Sequence, residues 1–267
     1  MEKIRLHHKA PVVRNFLICR DHYLLTLQET DIARETEPGQ FVNLRIEGRE
    51  DLFLRRPFSV ARVRPRESQF DIVYRVVGKG TKAMADLRPG ETVDLIGPLG
   101  TGFHLPEASG RCLLVGGGCG VAPLWALAER LSFSQNKMIA LLGFRSLDRV
   151  FGEEVFHASG AEVIVTTDDG SYGRKGLLSD YLPELLGNQI DRVYVCGPPL
   201  MLKAVIPAIH KANLKGEVSL EEHMGCGFGV CLSCVVDLER EGVVKKERVC
   251  REGPVFSLDH IFPKYET

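Results

Sequence analysis

Four cysteines late in the chain have a spacing that suits a metal cluster. Cys226, Cys231 and Cys234 form a C-x4-C-x2-C pattern, and Cys250 follows in a separate segment. Four thiolates in this asymmetric arrangement hold iron–sulfur clusters of the [2Fe–2S] type. The interleaved glycines support this interpretation, because a loop around a cluster needs unusual φ values and amide groups that point at sulfur. The sequence therefore predicts a [2Fe–2S] site.

A structural zinc site is the alternative for the same residues. Zinc sites usually pair two cysteine knuckles of similar spacing, whereas here three ligands come from one segment and one from another. The asymmetry favours iron–sulfur, and a non-catalytic, zinc-stabilised binding module remains the competing interpretation. Of the remaining cysteines and histidines, Cys19, Cys112 and Cys119 lack partners at ligand spacing, and His223 is not needed beside four thiolates.

The composition is that of an ordinary globular protein with room for two domains. The chain has 267 residues, 44% of them apolar and 26% charged, and a net charge of -1. This charge gives no reason to expect nucleic acid or an anionic membrane as a partner. The first residues carry mixed charge and lead into no apolar run, so we expect no secretory signal.

One uncharged stretch, Cys112 to Ala128, approaches the lower length limit of a membrane span. Glycines at 116–118 and Pro123 interrupt it, so it is better interpreted as a buried strand, a loop and a helix start. We therefore expect a cytoplasmic protein without a membrane segment. In that reducing compartment, cysteines are ligands or buried thiols rather than disulfides.

The first hundred residues show the pattern of an antiparallel β-barrel. Short segments rich in β-branched and aromatic residues alternate with Pro-Gly turns, as in sandwiches and barrels. The predicted strands are Val12 to Ile18, Tyr23 to Gln28, Phe41 to Ile46, Phe58 to Val63, Phe70 to Val77 and Thr92 to Ile96.

Two spots within this region could bind phosphate. Arg56-Pro57-Phe58-Ser59 is a proline-stiffened turn that enters a strand, and Gly78-Lys79-Gly80-Thr81 precedes a short helix-forming run that Thr81 can cap. A helix start preceded by glycines suits a phosphate, and an arginine supplies charge-assisted hydrogen bonds. Taken alone, each motif is also typical of an ordinary surface turn or a capped helix.

The middle hundred residues alternate apolar strands with helices, which predicts a parallel sheet that binds ligands beyond its strand ends. The glycine-rich loop Gly116-Gly117-Gly118-Cys119-Gly120 follows the first strand. Cys196-Gly197-Pro198-Pro199-Leu200-Met201 follows the last strand and opens a helix. A third loop, 167–173, either contacts a nucleotide sugar or serves only as a polar turn.

Together these motifs resemble the ferredoxin–NADP reductase superfamily. In that superfamily an R-x-[YFL]-[ST] turn and a glycine-rich helix start bind flavin and its phosphates, and C-G-P-x-x-M lies near the nicotinamide. The resemblance implies FAD contacts at Arg56, Pro57, Phe58, Ser59, Val73, Tyr74, Arg75, Gly80 and Thr81. It also places Cys196 and Gly197 near the nicotinamide ring. The glycine loop is not a strict G-x-G-x-x-G motif, but its place at a strand end predicts NAD contacts at Gly116, Gly117, Gly118 and Gly120.

The order of the three parts more specifically resembles the electron-transfer subunits of NAD-dependent dihydroorotate dehydrogenase B. The resemblance rests on Ser219 to Gly227 and on Val249 to Phe256, and it extends over essentially the whole chain. It implies a multi-domain β and α/β fold. The expected parts are an FAD-binding antiparallel β-barrel at 1–104, an NAD-binding parallel-sheet domain at 105–216 and a small [2Fe–2S] domain at 217–267.

The same resemblance implies the activity. A partner subunit with FMN would oxidise dihydroorotate to orotate in pyrimidine synthesis, and electrons would pass through the cluster and FAD to NAD+. The assembly would be a heterotetramer of two subunits of each type. No acid–base dyad or nucleophile stands out, so we predict no catalytic side chain. Small subunits of NAD(P)H-dependent ferredoxin or sulfide oxidoreductases and of some hydrogenases share the layout and are the first alternative.

Overall fold

A computed structural model describes residues 7–187, 189–260 and 262–266. The N-terminal part is a closed antiparallel barrel with the strand order β1-β2-β5-β4-β3-β6. Each of the six predicted segments contains a strand, and β1 begins earlier than predicted. Strand β5 ends two residues before the predicted Val77, and Arg56 and Pro57, predicted as part of a turn, already belong to β4. The strands are β1 His7–Cys19, β2 His22–Gln28, β3 Phe41–Ile46, β4 Arg56–Arg64, β5 Gln69–Arg75 and β6 Thr92–Leu99.

Two short helices interrupt the barrel strands. Helix α1, Thr30–Glu35, has Glu29 as its N-cap and buries Ile32. Helix α2, Lys79–Ala85, begins two residues before Thr81. Thr81 therefore does not precede the helix as predicted; instead its Oγ1 accepts hydrogen bonds from the N–H groups of Val77 and Gly78.

The middle part is a seven-stranded sheet with the order β10-β9-β8-β7-β11-β12-β15, parallel except for β15. Its strands are β7 Arg111–Gly117, β8 Lys137–Phe144, β9 Glu162–Thr167, β10 Arg174–Lys175, β11 Arg192–Cys196 and β12 Gly216–Ser219. The helices are α3 Pro123–Phe133, α4 Glu153–Ala158, α5 Leu178–Leu186 and α6 Pro199–Lys211. The uncharged stretch forms β7, a 3-10 turn and α3. Among the described residues, no helix has the length and hydropathy needed to cross a membrane.

The C-terminal part begins after β12 and returns to the sheet. Strands β13, Val235–Arg240, and β14, Val243–Arg248, form a hairpin, and α7, Pro263–Glu266, ends the described chain. Strand β15, Val255–Ser257, pairs with β12 at the edge of the large sheet. The predicted architecture of barrel, parallel sheet and C-terminal cluster segment is confirmed. The domain boundaries at 104 and 216 stay a prediction.

Hydrophobic clusters connect the three parts. One cluster packs α3 and one face of the sheet against Ala61, Val73 and Phe103. The cluster on the other face includes Cys234 and Cys250. The cysteine segment is therefore continuous with the core of the nucleotide sheet.

Candidate cofactor-binding sites

The four predicted cluster cysteines lie together as two pairs. The N–H groups of Val230 and Cys231 donate to Sγ of Cys226 at 3.3 and 3.4 Å, and the Cys226 N–H donates to Sγ of Cys231 at 3.3 Å. Cys234 and Cys250 are both buried, and their thiols interact closely enough for Cys234 to contribute to the raised pKa of Cys250. One pair is therefore near the surface, and the other is inside the protein.

Three residues with positive φ allow the loop to turn around this site. They are Gly227 at +79°, Gly229 at +89° and Leu232 at +60°. Glycine adopts this region without steric strain, whereas leucine is uncommon there. These turns direct successive backbone N–H groups toward sulfur, as the interleaved glycines predicted.

The two pairs differ in electrostatic environment. Hydrogen bonds from the Ser233 hydroxyl and from the Cys226 N–H lower the pKa of Cys231 to about 6. Burial, reinforced by Cys234, raises the pKa of Cys250 to about 12. Metal ligands bind as thiolates. Cys231 is thus prepared for deprotonation by its own loop, whereas Cys250 needs the charge of a metal.

The sulfur arrangement fits a two-iron cluster better than a single zinc ion. Zn–S bonds of about 2.3 Å in a tetrahedron place all four sulfurs about 3.8 Å from one another. Within the described part of the chain, which contains all four cysteines, no three of their sulfurs lie within 4.8 Å of one another. Two separate pairs match one pair for each iron of a [2Fe–2S] cluster.

Residues of the barrel part contact the cysteine segment at two places, at Cys226 and just after Cys250. Asn43 on β3 donates from Nδ2 to the Cys226 carbonyl at 2.8 Å. Thr101, just after β6, donates its N–H to the Gly253 carbonyl at 2.7 Å, and its hydroxyl lies 3.2 Å from the Glu252 carbonyl. The cysteine segment is therefore attached to the barrel as well as to the sheet.

A cleft of about 240 Å³ opens where barrel, sheet and cysteine segment meet. This volume is below the ~300–1,000 Å³ of a typical ligand pocket, so it suits one ring system rather than a whole dinucleotide. Six of the nine predicted FAD residues line it: Pro57, Phe58, Ser59, Val73, Tyr74 and Arg75. The other lining residues are Phe41, Cys119, Ala122, Pro123, Ser219, Leu220, Glu221, Glu222, Met224 and Pro254.

The cleft contains a carboxyl group that the sequence analysis did not identify. The Glu221 side chain is open to solvent through the cleft, and protein atoms surround it on the other sides. The resulting desolvation raises the pKa of Glu221, and the positive charge of Arg75 opposes this effect. Burial, with Glu221 as the next cause, raises the pKa of Cys119 to about 12. Cys119 was set aside for lack of a ligand partner, yet it lines the cleft. Only the packing of the parts could reveal either residue.

The remaining predicted FAD residues lie beside one another outside the cleft lining. The Arg56 guanidinium crosses Gly80 near the start of α2, and it donates to the Leu54 carbonyl at 2.6 Å. Thr81 follows directly on the same helix. The two predicted phosphate motifs are thus brought together, with Arg56 supplying the positive charge.

The predicted nucleotide residues meet at the ends of β7 and β11. A Cβ on Gly120 would lie 2.4 Å from the Cys196 carbonyl oxygen, and one on Gly117 would lie 2.4 Å from Sδ of Met201. Gly116 and Gly118 belong to the same loop, Gly118 with φ of +51°. Cys196 is buried, and desolvation raises its pKa. Gly197 directly follows β11.

The third loop, 167–173, lies at the adjacent end of β9. The Asp168 N–H donates to the Phe144 carbonyl at 3.0 Å, and desolvation raises the Asp168 pKa. Asp169 accepts from the Ser171 hydroxyl and N–H. Hydrogen bonds within the loop stabilise a turn at the ligand-binding edge of the sheet. The choice between contact with a nucleotide sugar and a purely structural turn stays untested.

Three family models match successive parts of the chain. The oxidoreductase FAD-binding domain matches residues 9–104, and the oxidoreductase NAD-binding domain matches residues 114–206. The iron–sulfur cluster binding domain of dihydroorotate dehydrogenase B matches residues 221–262. FAD, NAD and iron–sulfur binding are therefore features of this chain, and the zinc-stabilised module is rejected.

Similar proteins cover the full length. The electron transfer subunit of dihydroorotate dehydrogenase B (NAD(+)) from Bacillus caldolyticus is 43% identical over 255 residues, which are 95% of this chain and 97% of the relative. The same subunit from Desulforamulus reducens is 39% identical over 252 residues, 92% of this chain and 95% of that one.

Among solved structures, a chain of the NADH-dependent reduced ferredoxin-NADP oxidoreductase superposes with a TM-score of 0.85 and 31% identity. The match covers 99% of this chain and 93% of that chain. The Amycolatopsis cytochrome P450 reductase GcoB matches 78% of this chain and 67% of its own, with a TM-score of 0.66 and 25% identity.

Proposed function

Because the chain belongs to the family of electron-transfer subunits of NAD-dependent dihydroorotate dehydrogenase B, we propose that it passes electrons from a catalytic partner to NAD+. The partner carries FMN and oxidises dihydroorotate in pyrimidine biosynthesis. When bound, FAD exchanges electron pairs with the nicotinamide and single electrons with the [2Fe–2S] cluster. The chain is thus one subunit of an oxidoreductase.

The observation that supports this proposal best is the position of the cysteine segment relative to the cleft. Met224 lines the cleft, and Cys226 follows two residues later in the cysteine loop. The flavin ring and the cluster would therefore be neighbours within one chain. Short separation favours electron exchange between them without a moving domain.

In this proposal the barrel residues bind and orient FAD. Phe58 and Tyr74 give the cleft aromatic walls with ring centroids 6.0 Å apart, and Ser59 and Arg75 offer polar groups at its edge. Arg56 and the start of α2 bind the pyrophosphate. The complete proposed set is Arg56, Pro57, Phe58, Ser59, Val73, Tyr74, Arg75, Gly80 and Thr81.

The sheet residues hold the nicotinamide dinucleotide, and the cysteines hold the cluster. Gly116, Gly117, Gly118 and Gly120 allow close approach of the backbone, with Cys196 and Gly197 beside the ring. Cys226 and Cys231 would hold one iron, and Cys234 and Cys250 would hold the other. No side chain of this subunit needs to exchange a proton with dihydroorotate, because the proposal places that chemistry in the partner.

The subunit name of the relatives implies a catalytic partner. We further propose that two copies of this chain assemble with two FMN-containing subunits. We place the complex in the cytoplasm, where cysteines outside the cluster site stay reduced.

Purification from the native source, followed by spectroscopy and identification of co-purifying chains, tests the proposal. We expect bound FAD, a [2Fe–2S] signal, and an FMN-containing partner with which dihydroorotate reduces NAD+. A colourless, zinc-containing protein would contradict it.

A second candidate is a subunit of an NADH-dependent ferredoxin–NADP oxidoreductase, because one such chain matches 99% of this one. The two candidates differ in the partner. Co-purification with a large glutamate-synthase-like flavoprotein, and absence of dihydroorotate-dependent turnover, would favour the second.

A further inference from the structure

One buried asparagine connects the barrel wall of the cleft with the first cluster cysteine. Asn43 is fully buried on β3, and its Nδ2 donates to the Cys226 carbonyl at 2.8 Å. On β3 it pairs with Pro57 of β4, one of the residues that line the cleft. The same residue therefore contacts both sides of the proposed electron path.

The contact is fixed in its geometry by the neighbouring glycine. A Cβ on Gly227 would lie 2.2 Å from Nδ2 of Asn43, and Gly227 has a φ of +79°. The loop can thus approach the asparagine this closely only with glycine at 227. The contact is direct, with no space for an intervening side chain.

The orientation of the amide is also fixed. A carbonyl oxygen only accepts hydrogen bonds, so the donor end of Asn43 must face Cys226. The other end, Oδ1, is buried without a partner among the described residues. A buried acceptor without a partner is unfavourable, so the donor end is the part of the Asn43 side chain that stabilises this contact.

The backbone of Asn43 is supported by a charged network in the barrel. Arg55 donates to the Asp94 carbonyl at 3.0 Å and to its Oδ1 at 2.8 Å, and it reaches the Asn43 carbonyl at 3.5 Å. Burial alone would raise the pKa of Asp94, but hydrogen bonds from Arg55, Arg45 and His7 outweigh it and lower the pKa. Asp94 stays ionised and holds Arg55 in place.

We propose that Asn43 is a positioning residue of the electron relay. It fixes the cluster loop against the strand that borders the flavin cleft, and its amide dipole stabilises the added negative charge of the reduced cluster. Partners just outside the ligand set orient the ligands and tune the potential of a metal site. This inference rests on the proposed cluster site and adds a residue outside the family motifs described above.

The test compares Asn43→Leu with wild type in the complete complex with the partner subunit. Leucine has the same number of non-hydrogen side-chain atoms and the same branching, but no donor. We expect FAD content and NADH-to-FAD reduction to stay within about twofold of wild type. The EPR signal of the reduced cluster should shift, its midpoint potential should become more negative, and single-turnover cluster reduction should slow by about 10-fold or more.

Asn136→Leu is the matched control. Asn136 is also buried and its Nδ2 donates to a backbone carbonyl, that of Leu131 at 3.4 Å, but it lies in the nucleotide sheet region. It should lower stability without changing the EPR signal or the cluster potential. A general loss of packing would therefore be distinguished from the specific effect of Asn43.

Two outcomes separate this inference from the proposed function. If Asn43→Leu has the wild-type EPR signal and cluster potential, the inference is overturned while the relay stands. If the wild-type protein itself binds no cluster, the proposed function fails. Should Asn43→Leu not fold, Asn43→Val, which suits a strand and also lacks a donor, takes its place with the same expected and contradicting results.

Discussion

The guanidinium of Arg56 lies across Gly80, so close that a Cβ built on Gly80 would fall 1.9 Å from Nε of Arg56. The arginine comes from the strand motif of the barrel and the glycine from the first turn of α2. Neither motif is specific for phosphate in the sequence alone, but in the structure the two form one surface. The position of the Arg56 guanidinium depends on the absence of a side chain at Gly80.

Gly80→Ala should displace the Arg56 side chain and thereby weaken FAD binding. Arg56→Ala should weaken FAD binding directly, because it removes the guanidinium. Charge-assisted hydrogen bonds contribute about 1.5–3 kcal/mol, so the Kd for FAD should rise about 10-fold or more. Titration of flavin-depleted protein with FAD measures this. Gly187→Ala, where the nearest atom would be 3.8 Å away, should bind FAD like wild type. Unchanged flavin affinity in both variants would refute the phosphate assignment.

Cys231→Ser should abolish the [2Fe–2S] signal and partner-coupled turnover, because the surface pair would lose one thiolate. NADH should still reduce the bound FAD, since the cleft and the nucleotide loop are unaltered. Iron analysis and EPR measure the cluster, and stopped-flow absorbance measures the reduction of FAD by NADH. Cys19→Ser removes a half-buried cysteine outside the site and should keep all activities. Persistence of partner-coupled turnover in Cys231→Ser would show that the relay is wrong.

Gly120→Ala should separate the glycine loop from β11, because the added Cβ would lie 2.4 Å from a backbone oxygen that cannot rotate away. We expect a loss of about 1–3 kcal/mol in the free energy of unfolding and a higher KM for NADH with unchanged FAD content. Denaturant unfolding and steady-state kinetics measure both effects. A wild-type KM in a destabilised variant would contradict the placement of NAD at this loop.

The free energy of unfolding should decrease at acidic pH because of His22. It is buried against Phe151 of the nucleotide part, with ring centroids 5.4 Å apart. Desolvation lowers its pKa, assisted by Arg75 and Arg149 and opposed by the Arg20 carbonyl and Asp21. Below the ordinary His pKa of about 6.5 the unfolded chain therefore binds a proton that the folded chain excludes. The free energy of unfolding decreases as the pH falls through this range.

The pH dependence of the melting temperature between about pH 7.5 and 5.5 tests the role of His22. In His22→Asn, which retains a donor for the Arg20 carbonyl, the decrease should be smaller than in wild type. His157→Asn, at an exposed position of α4, should behave like wild type. Parallel curves for His22→Asn and wild type would contradict the assignment.

The sequence predicted those parts of the fold that local pattern determines. The strands of the barrel, and the alternation of apolar strands with helices in the middle part, were predicted because each strand buries a regular set of side chains. Strand β15 is only three residues long, and its pairing depends on the distant β12. Helix α1 was missed because six mostly polar residues give no clear periodicity.

The site was predictable where residue types and spacing are themselves informative. The four cysteines proposed as ligands have a spacing that can be counted, and the structure brings them together. Glu221, Cys119 and Asn43 could not be found in this way. Each is defined by a neighbour far away in sequence, so only the assembled structure reveals its environment.

The pairing of β15 with β12 has a consequence for how the protein is made on the ribosome. The edge of β12 stays unpaired until Val255–Ser257 has been synthesised, and this strand begins five residues after Cys250, the last of the proposed cluster ligands. Closing the nucleotide sheet and completing the proposed ligand set therefore both depend on the same short C-terminal segment. Chains that end before that point would present both an unpaired strand edge and an incomplete set of the proposed ligands.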